Sequence, residues 1–361
     1  MHLRLLLGIV FFISTGALAD KASHIDSNNP WGTPYVAKFD PNTLPNRLPT
    51  VSVRGNEFVD ENGKVLVFRG VNIGDPDKLL REGRWDKSLF KELKKWGTNI
   101  VRIPVHPLAW RVQGKTRYLE LLDEAVIWAN TYEMHVIIDW HSIGNLKDAV
   151  YQHPMYDTTK SETLSFWKTM AERYSNTNTI AFYELFNEPT QGEGRFGTFT
   201  WPEWKALNIE MINIIRAHAD ETVVLVGGFN WAYDLSSAKG DLIDLPQVAY
   251  VAHPYPQKAK KEPLEKDWYK RWGFITEHAP LIATEIGWMH DGEPGAHVPT
   301  INNDDTYGPR ITKYLDERGA SWVAWVFDPD WTPNMIKNWD YEPTTQGEYF
   351  RKEMLRKNSK R

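Results

Sequence analysis

Asn99-Ile-Val-Arg-Ile-Pro-Val105 and His135-Val-Ile-Ile-Asp-Trp-His141 bracket a stretch in which Leu119, Leu122, Ala125, Val126 and Ala129 recur at helical spacing. Two short runs rich in β-branched residues joined by one amphipathic helix read as a strand–helix–strand unit of a parallel sheet. Comparable runs occur at 67–72, 180–188, 222–227, 248–254, 281–286 and 322–326, which makes eight. Leu89, Leu93 and Trp96 repeat with the helical period between the first two, and a further helix is expected from about Pro202 to His218, with the proline in its first turn. Eight such units predict closure into an α/β (β/α)8 barrel. An open doubly wound sheet is the competing architecture, but no G-x-G-x-x-G follows the first strand and there is no Walker A loop.

Outward from the barrel, Val51-Ser-Val-Arg-Gly-Asn-Glu-Phe-Val59 alternates, and Asp60-Glu-Asn-Gly63 is a turn before Val65-Leu-Val-Phe68, so a β-hairpin precedes the first barrel strand. Residues 20–49 are rich in Asn, Pro and Asp without periodicity and are expected to be an extended segment, strapped around the barrel. Arg4 precedes the apolar run Leu5 to Ile13, and Ala17-Leu-Ala19 fits a small-x-small cleavage site, so residues 1–19 are expected to be a secretory signal peptide. The run is shorter than the roughly 20 residues a membrane anchor needs. The expected product is a secreted or periplasmic protein with no membrane association after cleavage and one catalytic domain, 50–361.

The chain has 361 residues, a formal charge of −5, no Cys, and 17 Trp against 15 Tyr and 15 Phe. Without sulfur ligands it holds no disulfide, thiolate metal site or Cys nucleophile. The charge gives no footprint for nucleic acid, and the basic tail 351–361 reads as a solvated helix face. A monomer needing no cofactor and no metal is expected.

In a (β/α)8 barrel, chemistry gathers at the carboxyl ends of the strands. Here those ends read Arg102 to His106, Asp139-Trp140-His141, Asn187-Glu188-Pro189, His253-Pro-Tyr255, Glu285-Ile-Gly-Trp288, and Trp325 before Asp328. A charge at the end of an apolar strand costs desolvation unless it is paired, and six strands ending this way point to function. Glu188 and Glu285 lie three strand units apart and face one another across the mouth. Two such carboxyls can divide glycoside hydrolysis, one donating a proton and the other attacking or activating water. Arg102, His253 and Tyr255 are the candidates for separating their pKa values. The chemistry leaves open which Glu does which. The bland alternatives are a structural ion pair of Glu285 with Arg102, and a metal site of Asp139, His141 and His253, although no H-E-x-x-H is present.

Phe186-Asn187-Glu188-Pro189 resembles the Asn-Glu-Pro signature of clan A glycoside hydrolases. The ordered set Arg102, His141, Asn187, Glu188, His253, Tyr255, Glu285 and Trp325 is similar to that of glycoside hydrolase family 5, the cellulase family, and Phe68-Arg-Gly-Val-Asn72 resembles its first strand. The resemblance runs from about Val51 to Asp328. It implies a TIM barrel whose floor is closed by the hairpin, and a retaining reaction with Glu188 as acid/base and Glu285 as nucleophile. It further implies that Asn187 binds the 2-hydroxyl, that Arg102 and Tyr255 aim an ionised Glu285, that His253 sits beside Glu188, and that Trp325 floors the −1 subsite. The implied substrate is a neutral β-linked polysaccharide or oligosaccharide. An endo-β-1,4-glucanase is the leading expectation, with mannan, xyloglucan, exo-β-glucosidase action or a non-catalytic sugar-binding barrel as alternatives. The segments 144–160 and 291–305 are expected to wall the cleft.

Trp110, Trp140, Trp231, Trp288 and Trp331 follow strand ends, where aromatic faces can serve as sugar platforms. Trp96, Trp128 and Trp167 lie in helical patterns and are expected in the core.

Overall fold

The structure, a computed structural model, describes residues 37–358 except 176, 219 and 260. The expected signal peptide 1–19 and residues 20–36 of the extended segment lie outside the described residues. Eight parallel strands close a barrel in sequence order: β1 (Arg69–Ile73), β2 (Ile100–Val105), β3 (His135–Trp140), β4 (Ile180–Glu184), β5 (Val223–Gly227), β6 (Val248–Val251), β7 (Leu281–Ile286) and β8 (Ser321–Phe327). β8 pairs with β1 through Trp322 and Arg69, which closes the ring. Gly70 allows β1 its close approach to β2, since a Cβ there would fall 1.8 Å from the Ile100 carbonyl oxygen.

Side chains alternate along a strand, so every second residue enters the barrel. Ile100, Ile137, Phe182, Val223, Leu225, Ala249, Val251, Ile282 and Val323 form one buried apolar cluster, the floor. The alternating run 51–59 is not a single arm. Gly55, at φ 62°, turns the chain back, and Ser52–Arg54, Glu57–Val59 and Val65–Leu66 make a three-stranded antiparallel sheet. Val51 and Phe58 complete the floor from below. The Phe58 ring meets Phe182 edge-on at 4.9 Å and Phe68 at 6.1 Å.

Helices α1 (Lys87–Lys95), α2 (Lys115–Thr131), α3 (Lys160–Tyr174), α4 (Trp201–Arg216), α5 (Leu264–Arg271), α6 (Tyr307–Asp316) and α7 (Thr345–Asn358) pack outside. Residues 351–358 of the basic tail thus belong to α7, and 359–361 lie outside the described residues. Between β5 and β6 the chain makes only the short turns Phe229–Ala232 and Ser236–Ala238. Two helix-borne tryptophans do more than fill space: Trp167 Nε1 donates to the Leu185 carbonyl (3.1 Å) and Trp204 Nε1 to that of Gly227 (2.8 Å). They satisfy buried carbonyls where β4 and β5 end, which a hydrocarbon ring could not do. Trp96 is buried, and Trp128 is half-buried against Trp85 and Phe90. Upstream of the hairpin, Asn46 exchanges hydrogen bonds with Asn130 of α2, and Phe39 meets Tyr174 of α3 edge-on.

Phe58→Ala should open the barrel floor and lower the unfolding free energy by about 3–5 kcal/mol, measured by urea denaturation. The chemistry sits at the other end of the strands, so kcat/KM well below the melting temperature should change by less than about twofold.

Candidate active site

Two residues above the floor the lining changes from apolar to polar. Ile100 is followed inward by Arg102, Ile137 by Asp139, Phe182 by Glu184, Val251 by His253, Ile282 by Thr284 and Val323 by Trp325. Arg102 has no exposed surface and occupies the middle of this layer. Its Nε and Nη2 donate to Oε2 and Oε1 of Glu184 at 2.7 and 2.9 Å, a bidentate pair. Nη1 donates to Asn72 Oδ1 (2.9 Å) and Glu285 Oε1 (3.0 Å), and Nη2 reaches Asn187 Oδ1 (2.7 Å) and Asp139 Oδ2 (3.0 Å). Because Asn187 turns its oxygen to Arg102, its Nδ2 faces away, buried and with no partner. An unpaired buried amide N–H beside the pair is a ready donor to a sugar hydroxyl.

β7 carries an irregularity between Ala283 and Ile286, and two consecutive residues face inward there. Thr284 Oγ1 donates to Glu184 Oε1 (3.0 Å), while Glu285 accepts from Arg102 and, at Oε2, from the Tyr255 hydroxyl (2.8 Å). Glu188 lies beyond the end of β4, and the loop after β3 holds it. Ile143–Asn145 pairs in parallel with Glu188–Pro189 and antiparallel with Val150–Tyr151. The Asn187 and Glu188 amides donate to the carbonyls of Trp140 and Ser142. The segment expected to wall the cleft therefore also grips the backbone of one of the two carboxylates. Single ligand atoms of Glu188, His253 and Glu285 all lie within 4.8 Å of one another.

His253 is fully buried between both carboxylates, with Nδ1 2.9 Å from Glu188 Oε1 and 3.6 Å from Glu285 Oε2. Its Nε2 faces Thr284 Oγ1 at 3.0 Å. That hydroxyl gives its proton to Glu184, so both ring nitrogens donate and the imidazolium is favoured. Burial alone would lower the His253 pKa, but Glu285, Glu184 and Glu188 raise it above the ordinary value. Burial likewise raises the Glu184 carboxyl, yet Arg102 and His253 hold it below the usual carboxylate range. The three residues of the metal alternative do not converge: among the described residues Asp139, His141 and His253 form no group whose ligand atoms could meet on one ion, and His141 Nδ1 is bonded to Asp139 at 2.5 Å.

A low-pKa Glu285 and a high-pKa Glu188 were the expectation, and the two shifts run the other way. Burial, with the Glu188 charge, pushes Glu285 up against the pull of His253, Arg102 and Tyr255. Burial works on Glu188 too, but Lys258 and His253 overcome it and draw that carboxyl down. Lys258 Nζ lies 3.8 Å from Glu188 Oε1. Sequence reasoning missed it, together with Glu184 and Tyr156. Tyr156 comes from the β3–β4 loop and packs against His106 and His141, where burial, and after it the charges of both carboxylates, raise its hydroxyl pKa.

The aromatic residues divide. Trp325 lies nearly parallel to His141 (5.5 Å, 8°) and to Trp331 (6.0 Å, 5°), and Trp331 lines a cavity of about 290 Å3 with His106, Leu108 and Met155. Trp231 is half-buried, its Nε1 donating to Gln152. Trp140 and Trp288 are corrections. Trp140 has no exposed surface and stacks on Phe166, while Trp288 is 2 % exposed and packs on Tyr307, Tyr349 and Phe350. Neither presents a face to sugar. Trp110, 9 % exposed, packs on Tyr118 and Phe166.

Arg102→Met would strand buried carboxylates without their cation, and the unfolding free energy at pH 7 should fall by about 3–5 kcal/mol. Glu184 has a depressed folded-state pKa, so its pairing stabilises above the unfolded value and is lost as pH falls through the folded one. The gap between wild type and variant in denaturant titrations should therefore narrow steadily below about pH 4.3.

The model of the cellulase family, glycosyl hydrolase family 5, matches residues 59–330. Endoglucanase N of Pectobacterium atrosepticum is 24% identical over 278 residues, 76% of this chain and 56% of its own. Endoglucanase A of Butyrivibrio fibrisolvens is 27% identical over 258 residues, 67% of this chain and 53% of its own, so the chain spans about half the length of these curated relatives. Among solved structures, a β-glucanase from Saccharophagus degradans in its native form superposes with a TM-score of 0.88 at 49% identity, covering 91% of this chain and 99% of that one. Its complex with cellotetraose matches with a TM-score of 0.88 at 48% identity, covering 92% and 100%. With a family model spanning both Glu188 and Glu285 and a barrel that brings them together, the chain belongs to the cellulase family, glycosyl hydrolase family 5.

Proposed function

We propose that this protein is an endo-acting, retaining β-1,4-glucanase with Glu188 as acid/base and Glu285 as nucleophile. One observation carries the reading: an oxygen of each carboxylate lies within 4.8 Å of the other. Retaining enzymes hold the two carboxyls about 5–5.5 Å apart, whereas inverting enzymes leave about 6.5–9.5 Å for a water. The cellotetraose bound by the Saccharophagus degradans β-glucanase supports a glucan as substrate.

In the first step Glu285, aimed by Arg102 and Tyr255, attacks the anomeric carbon while Glu188 protonates the departing oxygen. The glycosidic bond breaks and an ester to Glu285 forms. In the second, Glu188 takes a proton from water, which displaces Glu285 and restores the original anomeric configuration. The Asn187 amide donates to the 2-hydroxyl, and Trp325 lies under the sugar at −1. The first step needs the proton on Glu188 and an ionised Glu285, and His253 lies within reach of both. The polymer is met outside the cytoplasm, after removal of residues 1–19, by a protein acting as a monomer.

Glu188→Gln and Glu285→Gln should each lose several orders of magnitude in kcat on unactivated cello-oligosaccharides while retaining binding. Proton NMR of the first product should show the β-anomer. Reducing-end-labelled cello-oligosaccharides should yield a spread of internal cleavage products. One product size released from a single end would overturn endo action, and preferential turnover of mannan or xyloglucan would overturn the choice of glucan.

A further inference from the structure

Three cations, Arg102, His253 and Lys258, face four buried carboxyls, Asp139, Glu184, Glu188 and Glu285. Arg102 and His253 belong to the layer beneath the cleft, but Lys258 comes from the loop after β6. Its side chain is only 11 % exposed, with Nζ 3.8 Å from Glu188 Oε1 and 5.4 Å from the centre of the Tyr255 ring. A third contact anchors it: Nζ donates to the Trp231 carbonyl at 2.7 Å. That carbonyl is turned toward it by an unusual backbone. Asn230, Trp231 and Ala232 have φ values of 56°, 56° and 54°, a left-handed run that L-residues rarely make in succession. The same run aims the Ala232 carbonyl at the His253 amide. Lys258 also lines a polar cavity of about 570 Å3 with Gln191, Asn230, Lys261 and Arg271. The acid must act on the leaving oxygen from among its own neighbours, and this ammonium is one of them.

We propose that Lys258 is a positioning residue for the hydrolytic reaction, the electrostatic partner that sets the pH above which Glu188 can no longer serve as the acid. The proposal rests on the reading of Glu188 as acid/base. The other charged or titratable groups acting with Glu188 are His253 on the continuation of β6, Glu285 on β7, Arg102 on β2, Asp139 on β3, and Tyr156 and Tyr255 from the loops. All of them remain when Lys258 is replaced. A nearby cation favours the ionised carboxylate, so its removal raises the pKa of Glu188 and moves the alkaline limb of kcat, which reports the acid in the enzyme–substrate complex, to higher pH.

The test compares pH profiles of kcat on saturating cellotetraose for wild type, Lys258→Gln, Lys258→Met and Lys258→Arg. Gln keeps a donor for the Trp231 carbonyl and removes only the charge, which protects the experiment against a Met variant that folds poorly. The alkaline limb should rise by about one pH unit in the Gln and Met variants and return to within a few tenths in the Arg variant. An unmoved limb in Lys258→Gln would refute the proposal, as would a uniform loss of rate at every pH with a lowered melting temperature, the mark of a purely structural lysine. Glu188→Gln, assayed in parallel on cellotetraose and on a dinitrophenyl cellobioside that needs no acid, tests the underlying assignment separately. A loss of kcat/KM confined to cellotetraose supports it, and equal losses of kcat/KM on both substrates would sink it whatever Lys258 does.

Discussion

One guanidinium organises the mouth of the barrel. Arg102 meets Asn72, Asp139, Glu184, Asn187 and Glu285 at once, from strands that span most of the ring. Its planar fork suits this: the bidentate side fixes Glu184, and the remaining N–H groups orient the others. Taking so many charges out of water costs more than their mutual attraction reliably returns. Such a layer is poor evidence for stability and good evidence for function. The stability comes from the layer below, where Phe58, Phe182, Ile100 and their neighbours bury hydrocarbon. The barrel thus stacks an inexpensive apolar floor under a costly polar site, with only a two-residue step along each strand between them.

That step also explains what could and could not be seen beforehand. The eight-unit pattern, the carboxylate pair and its Arg, Asn, His and Tyr neighbours were legible because each strand ends in a chemically distinctive residue. Glu184 was passed over because it lies inside the run rather than at its end. Counting two residues on from Phe182 would have found it. The same counting would have turned Trp140 outward, since Asp139 points in and its neighbour must point toward α3. Glu285 obeys no such parity, because the irregularity in β7 lets Thr284 and Glu285 both face the site. Lys258 and Tyr156 sit in loops with no periodicity to read, and only the three-dimensional path of the chain brings them to the carboxylates. Trp288 was misjudged for a related reason: a ring beyond a strand end can turn to the helices as readily as to the cleft.

The tryptophan excess has more than one cause. Trp167 and Trp204 satisfy carbonyls at strand ends, Trp140 and Trp288 knit helices to the barrel, and Trp325 with Trp331 builds a parallel stack open to the cleft. The cleft is consequently asymmetric. Around β8 and the loops after β1 to β3 it is aromatic, whereas around β4 to β6 it is polar and cationic. A sugar held by flat rings on one side and by exchangeable polar contacts on the other is gripped unequally across the bond to be cut.

The small sheet beneath Glu188 gives the two carboxylates different mechanical fates. Glu285 is built into a barrel strand and is displaced only when the barrel itself opens. Glu188 hangs on Ile143–Asn145, whose outer neighbour Val150–Tyr151 is a two-residue, partly exposed edge. Short edges with few buried contacts open at lower free energy than core strands. Opening at Val150–Tyr151 should therefore cost less free energy than opening of the eight barrel strands, so the two carboxylates rest on supports of unequal local stability.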